Sequence, residues 1–487
     1  MEIDISANLA DGRTISIDGE WTGSDSSHER RDPAALDRVT GKFASATPGM
    51  VEDAFRSASG AFGSWAATVA EKRAAVLHRV ADLLDENRAL AAERLSDDMG
   101  KARADAEGEI ARSAAIFRYF AGELTQPLGE NYPSADDRTL LLTLEQPLGV
   151  VAVITPWNFP FAIPAWKIAP AIAFGNTVVW KPAEAASGSA VFLMRVLELA
   201  GLPPGVVNLI TGSGRELSPA ITGSPELAAI TFTGSGPVGT LLRQAVADRN
   251  IKVQLEMGGK NAAVVLADAD LDNAVEQVAR GAMLATGQRC TATSRVYVAA
   301  EITDEFTASL KQKVESMTVG SPRDPGSVIG PLASTEQLET VTTYADLARA
   351  EGAEFVTGGD PHPDGNCFFN PVILTGVDPG SRLVTEEIFG PVVIVSPVDD
   401  PEEGLRLANR SEFGLSAAVF TQDLARAMSF VRGLEAGLVH VNRETAGVEP
   451  HVPFGGTKGS SNEMREQGKA ARQFFTTSKT AYIRSIG

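Results

Sequence analysis

The chain has 487 residues, 44% of them hydrophobic and 22% charged, several times what one small core needs. Aromatic residues make up only 6%, and 46 Gly and 27 Pro are ordinary usage, so disorder, collagen-like repeats and a disulfide scaffold are excluded. The 43 basic and 62 acidic residues leave a net charge of −19, which repels phosphate backbones and anionic lipid and argues against nucleic-acid or membrane-surface partners.

The acids are scattered, and the bases are mostly Arg. Such a surface suits concentrated salt and an ordinary acidic enzyme equally well. Two cysteines, Cys290 and Cys367, are too few for a disulfide framework and fit a reducing cytoplasm. The N-terminus lacks a basic start followed by an apolar run, and Pro, Gly or charge interrupts every apolar stretch. Cytoplasmic localisation is expected.

No internal repeat of 20–50 residues is visible. The first 45 residues carry short strand-like pieces such as ISIDGEW and a turn-rich stretch. Apolar spacing predicts helices over 48–65, 71–99 and 102–124, the second marked by Ala74, Leu77, Val80, Leu83 and Leu84. Residues 125–137 are polar and turn-forming, and RTLLLTLEQPLG reads as a strand of a projecting hairpin.

From 147 the pattern changes. Apolar runs GVVAVIT, NTVVW, VVNLI, AAITFT and IKVQLE alternate with helical windows near 159–174, 187–200, 214–222 and 236–248. Strands buried on both faces between crossover helices define an α/β chain with an open parallel sheet. After 260 the alternation resumes through NAAVVL, RVYVAA, SAAVFT and GLVHVN, giving a second αβ unit joined to the first near 256–262. The final stretch, ARQFFTTSKTAYI, reads as a β-rich tail in need of a partner edge.

Several positions carry candidate chemistry. Cys290 lies in ATGQRCTATSR, a polar setting in which Arg289 could favour the thiolate; a buried, inert thiol is the plain alternative, and is the reading for Cys367. Glu256 closes an apolar strand in LEMGGKN, where desolvation raises a carboxylate toward the range of a general base, or where it serves only in an ion pair. Asn158 in TPWNFPFAIPAWK follows a strand among aromatic and Pro residues, a rigid amide suited to an oxyanion, or a simple turn former. Lys181 and Glu184 in WKPAE stand at a strand's C-terminal end, where open α/β sheets bind ligands and a carboxylate can accept ribose hydroxyls.

FTGSGPVG places Gly234, Gly236 and Gly239 in GxGxxG spacing, and Glu256 follows Gly236 by twenty residues, as a dinucleotide fingerprint would require. Pro237 is awkward in that fingerprint, which also belongs to the first βα turn of a sheet, whereas this turn is about the fourth. The loop reads instead as a tight helix start near a cofactor.

Taken together, TPWNFP, WKPAE, FTGS, LEMGGK, GQRCT, EEIFGPV and PFGGTKGSS, in that order and with 34 residues from Glu256 to Cys290, resemble the NAD(P)-dependent aldehyde dehydrogenases over essentially the whole chain. The resemblance implies a Rossmann-like cofactor domain (1–124 and 148–258), an αβ catalytic domain (259–469) and a bridging β oligomerisation element (125–147 and 470–487). A homodimer, or a tetramer built from dimers, follows from exposed β edges in that element.

The same resemblance implies Cys290 as nucleophile, Asn158 with the Cys290 N–H as oxyanion donors, and Glu256 as the base that activates water. It assigns Lys181 and Glu184 to the adenosine ribose, Gly234 and Ser235 to the pyrophosphate, and Trp157, Glu387 and Phe389 to the rest of the cofactor site. A carboxylate at Glu184 repels a 2′-phosphate, so NAD is expected over NADP, and no metal is expected.

Within the family, TAGVEPHVPFGGTKGSS…REQG resembles the α-ketoglutarate semialdehyde (2,5-dioxovalerate) dehydrogenases; succinate semialdehyde and lactaldehyde are the alternative substrates. A small aldehyde bearing a carboxylate needs a cation to meet it, and Arg289, Arg443 and His451 are the candidates. Arg443-Glu444 and Asn462-Glu463-Met464 depart from that group's pattern. Two rival classes are a catalytically silent binding protein and a thiol hydrolase pairing Cys290 with His440 or His451.

Overall fold

Two seven-stranded sheets organise the chain, in a computed structural model that describes residues 3–4, 6–360 and 362–486. The first runs Lys252–Glu256, Leu227–Thr233, Val150–Thr155, Thr177–Pro182, Val207–Leu209, Ile15–Ile17, Glu20–Thr22. Its first five strands are parallel, and the two N-terminal ones extend it antiparallel. Successive residues of VVAV alternate between two cores: Val151 and Val153 face the cluster of Phe117, Phe161 and Leu193, while Val150 and Ala152 face that of Val51, Phe55 and Ile230. A strand apolar at every position is the consequence of helices on both faces.

Chain order reverses direction between Val150–Thr155 and Leu227–Thr233, so their C-terminal ends open a crevice, the usual ligand position of an open α/β sheet. The TPWN and FTGS motifs follow those two ends.

The second sheet runs Glu354–Thr357, Val372–Thr375, Val392–Val398, Thr293–Ala299, Asn261–Val265, Ser416–Phe420, Leu438–Val441, parallel except for its first strand. A third sheet pairs Thr476–Arg484 antiparallel with Thr139–Pro147, in register from Thr476 opposite Pro147 to Arg484 opposite Thr139, with Asn131–Tyr132 beyond. Leu140, Leu144, Tyr482 and Ile483 are exposed on this ribbon.

Two sequence expectations change. The helix expected over 71–99 is two, Ala70–Glu86 and Arg88–Met99, because Asn87 leaves helical geometry (φ −113°, ψ 23°). The tail expected to be β-rich from ARQFF is helical over Gly468–Phe475 and extended only from Thr476. Ala471, Phe474 and Phe475 are buried at helical spacing, so burial of one face overrides the strand propensity of Phe. Among the described residues, no helix is long and apolar enough to cross a membrane.

Candidate active site

Cys290 follows a loop held in an unusual backbone conformation. Ala285 and Thr286 adopt φ of 53° and 59°, and Gly287 has φ 66° where a Cβ would lie 2.2 Å from Gly390 O. Non-Gly residues in the left-handed region persist only where surroundings hold them. Here Thr286 Oγ1 donates to Gly330 O (3.0 Å), and Gln288 Oε1 accepts from Ala333 N (2.8 Å). Asn261 Nδ2 donates to Cys290 O (2.8 Å), which fixes the following peptide.

Asn158, 3% exposed, reaches the same loop: its Nδ2 donates to Gln288 O at 3.1 Å. The Asn158 carbonyl in turn accepts from Lys101 Nζ (3.0 Å), whose charge is met by Glu109. Glu109 Oε1 also accepts from the N–H groups of Phe161 (2.9 Å) and Ala162 (3.1 Å), the start of the Ala162–Ala173 helix. A carboxylate there satisfies orphan donors and complements the helix dipole.

Glu256 is 2% exposed; Ser461 Oγ donates to its Oε2 at 2.6 Å, and its Oε1 has no partner. Burial, then the neighbouring Glu466 carboxylate, holds its pKa well above the usual range, against the Ser461 hydrogen bond and the charges of Lys167 and Arg465. Glu466 pairs with Lys167, itself bonded to Thr231 Oγ1 (2.8 Å). Leu227–Thr233 is the fourth parallel strand in chain order, whereas a dinucleotide fingerprint belongs to the first βα turn. Pro237 sits in the first turn of the Gly236–Ala245 helix, where a missing N–H costs nothing.

The Cys290 thiol is pushed far up by burial and by the carboxylates of Glu387, Glu256 and Glu466. This corrects the expectation that Arg289 favours the thiolate. Its Nη1 faces Glu444 at 3.8 Å, and its Nη2 donates to the carbonyls of Arg280 and Gly281.

A cavity of about 250 Å³ opens at Cys290, with Lys101, Asp105, Glu109, Arg112 and Arg289 among its walls. Arg443 and His451 are exposed and lie outside that lining. His440 lies within the Leu438–Val441 strand, lowered to about 4 by burial and by Arg443, and no histidine lines the cavity. Cys367 is fully buried, its N–H donating to Pro33 O (3.1 Å).

The remaining motif residues ring the crevice of the first sheet. Lys181 is 7% exposed and donates to Pro182 O (3.0 Å); burial lowers it to about 8. Glu184 lies beside His28 (3.8 Å). Gly234 N donates to Glu256 O (3.0 Å), and Ser235 starts the Gly236–Ala245 helix without capping it by its side chain. Glu387 Oε1 accepts from Gly259 N (2.9 Å), and burial raises the carboxyl to about 7. The ring of Phe389 stands edge-on to Trp157 at 5.4 Å, with Phe389 itself at φ 57°.

These donors fit a dinucleotide. Lys181 is a buried cation with unused hydrogens, and an uncapped helix N-terminus suits a pyrophosphate. Sequence reading missed Lys101, Glu109, Arg112, Lys167, Ser461 and Glu466. Only the acidic and basic positions at three- and four-residue spacing on the Arg103–Glu123 helix could have marked a polar face.

The chain thus joins a parallel sheet that opens at a reversal of strand order to a second αβ unit, with a cysteine in the wall of a small cavity, the architecture of an α/β enzyme. The model of the aldehyde dehydrogenase family matches residues 21–481, and the chain belongs to that family. An α-ketoglutaric semialdehyde dehydrogenase of Bacillus subtilis is 42% identical, over 96% of this chain and 97% of that protein. An α-ketoglutarate semialdehyde dehydrogenase of Haloferax volcanii is 40% identical, over 96% and 98%. Among solved structures, a betaine aldehyde dehydrogenase of Staphylococcus aureus in complex with NAD+ superimposes with a TM-score of 0.94 at 33% identity, covering 99% of this chain and 96% of that one.

Proposed function

We propose that this aldehyde dehydrogenase oxidises α-ketoglutarate semialdehyde to 2-oxoglutarate, with NAD preferred over NADP. The observation that carries the reading is the small cavity at Cys290 with Arg112 in its wall, a cation without a partner among the described residues, as an aldehyde with a distal carboxylate needs. The names of the B. subtilis and H. volcanii relatives support the same substrate.

Cys290 adds through Sγ to the aldehyde carbon, and the oxygen that gains charge is held by Asn158 Nδ2 and the Cys290 N–H. The tetrahedral carbon, made electron-rich by the sulfur, then gives up its hydrogen readily. NAD, when bound, supplies the hydride acceptor that leaves a thioester on Cys290. Glu256 takes a proton from water, the hydroxide displaces the sulfur, and the acid is released. Before the first step the thiol must lose its proton; Glu256, with its raised pKa, is the group suited to receive it, and it passes that proton to solvent before it takes one from water.

Lys181 and Glu184 hold the adenosine ribose, Gly234 and Ser235 the pyrophosphate, and Glu387 with Trp157 and Phe389 the nicotinamide end. Residues 1–124 with 148–258 form the cofactor domain, 259–469 the catalytic domain, and 125–147 with 470–487 the bridging element. The exposed apolar side chains of its ribbon seat a second copy, giving a homodimer or a dimer of dimers in the cytoplasm. The deciding experiment is kcat/KM for α-ketoglutarate semialdehyde, succinate semialdehyde, lactaldehyde and a neutral aliphatic aldehyde with each coenzyme. The first with NAD ranks highest; a tenfold preference for the neutral compound, about 1.4 kcal/mol, overturns the reading.

A further inference from the structure

Three cations line the cavity at Cys290, and two are already engaged. Lys101 is fixed between Glu109 and the Asn158 carbonyl, with its ammonium 3.8 Å over the Phe159 ring. Arg289 faces Glu444 and donates to two backbone carbonyls. Arg112 is half-buried in the wall and, among the described residues, makes no hydrogen bond or ion pair. Its charge is felt by Arg289 as a repulsion.

Position along the helix gives Arg112 its direction. Glu109 lines the cavity and holds Lys101, whose ammonium also donates to the Asn158 carbonyl. Arg112 is three residues further along the Arg103–Glu123 helix, on the same side and roughly 4.5 Å along the axis. Arg112 and Cys290 share the walls of this one small cavity, so a short aldehyde held by its carbonyl at the sulfur has its far end within the space that the guanidinium borders. The apolar part of the lining is supplied by Phe159, Ile163, Trp166 and Phe454. An unpaired guanidinium bordering a cavity calls for an acceptor-rich anionic group.

We infer that Arg112 binds the carboxylate of the substrate. The inference rests on the carboxylated-aldehyde reading above and assigns its anchor. Arg289 is instead a structural residue, tied to Glu444, which explains why an acidic residue is tolerated at position 444 of this pocket.

The test is the ratio of kcat/KM for α-ketoglutarate semialdehyde to that for butanal, in the parent, Arg112→Met, Arg112→Lys and Arg112→Glu. Loss of a charge-assisted hydrogen bond to a carboxylate lowers the ratio about 10- to 100-fold in Arg112→Met, through KM more than kcat. Arg112→Lys recovers part of it. Arg112→Glu lowers it further and brings oxidation of an aldehyde carrying a terminal ammonium above the parent's rate, a gain that misfolding cannot produce. If the parent favours the carboxylated aldehyde and both Met and Glu variants keep its ratio within threefold, Arg112 is not the anchor and the substrate reading stands. If the parent itself shows no preference, the substrate reading falls and the anchor with it.

Discussion

Ser461 donates its hydroxyl to Glu256 at 2.6 Å, and that single hydrogen bond opposes the burial and the Glu466 charge that keep the carboxyl protonated. A base must be ionised to act, so deacylation gains rate as pH rises through the raised pKa of Glu256. In Ser461→Ala the largest of the supports for the ionised form is gone, the charges of Lys167 and Arg465 remain, and the pKa moves higher still. The acidic limb of kcat against pH therefore shifts to more alkaline values, with about a 10-fold loss at pH 7 that is recovered at high pH. A uniform loss at every pH would show that Ser461 acts on something else.

Glu256→Gln separates the two halves of the reaction. Water activation fails, so kcat falls by at least about 100-fold. If Glu256 serves deacylation chiefly, rapid mixing gives a burst of NADH near one equivalent per site and then almost none; if it also takes the thiol's proton, the burst is lost as well. Linear progress curves at the parent rate would remove Glu256 from the mechanism.

Asn158 is anchored at both ends, its amide on the Gln288 carbonyl and its own carbonyl on Lys101. Such an amide is preorganised for a charge that develops only after sulfur has added. Asn158→Ala is expected to lower kcat/KM by about 100- to 1000-fold, with dinucleotide affinity changing far less, as measured by quenching of protein fluorescence. A loss confined to dinucleotide binding would place Asn158 in the cofactor site alone.

What the sequence disclosed and what it hid have a physical division. Strands such as VVAVIT were readable because both faces are buried by helices, and TPWN, FTGS and GQRCT because their spacing belongs to loops at sheet ends. The break at Asn87 and the helix over Gly468–Phe475 depend on tertiary packing that local propensity does not contain. The Lys101–Glu109 and Lys167–Glu466 pairs join residues 8 and 299 apart, and no periodicity announces such partners. Arg289 misled for the same reason: adjacency to Cys290 in sequence says nothing of where a long guanidinium turns, and it turns to Glu444 and the backbone.

The thiol of Cys290 is held protonated by burial first and by Glu387 next. Removing that carboxylate's charge with Glu387→Gln lowers the thiol's pKa, leaving the burial contribution in place. Alkylation of the coenzyme-free enzyme by iodoacetamide at pH 8 is expected to be several-fold faster than in the parent, since the thiolate is the reactive form. An unchanged rate across pH 7–10 would mean that Glu387 is neutral already or turned away from the sulfur.

Glu184 carries the choice of coenzyme in the proposed reading. Its side chain is 45% exposed, beside His28 at 3.8 Å, and the buried Lys181 stands close by. An acidic group at the ribose repels a 2′-phosphate, and a neighbouring cation attracts it, so the balance at this corner is set by the charge on Glu184. Glu184→Ser removes the repulsion and leaves Lys181, whose lowered pKa of about 8 still keeps most of it protonated at pH 7. The ratio of kcat/KM for NADP to that for NAD is then expected to rise about 10-fold or more, carried by a lower KM for NADP. His28 gives the result a pH signature. Below its pKa, which burial lowers, the imidazolium offsets Glu184 in the parent but adds to an already favourable site in the variant. The NADP to NAD ratio of the parent should therefore climb as pH falls below 6.5, a range in which Lys181, at about 8, is already protonated. An NADP to NAD ratio that Glu184→Ser leaves unchanged at every pH would take the ribose away from this strand end.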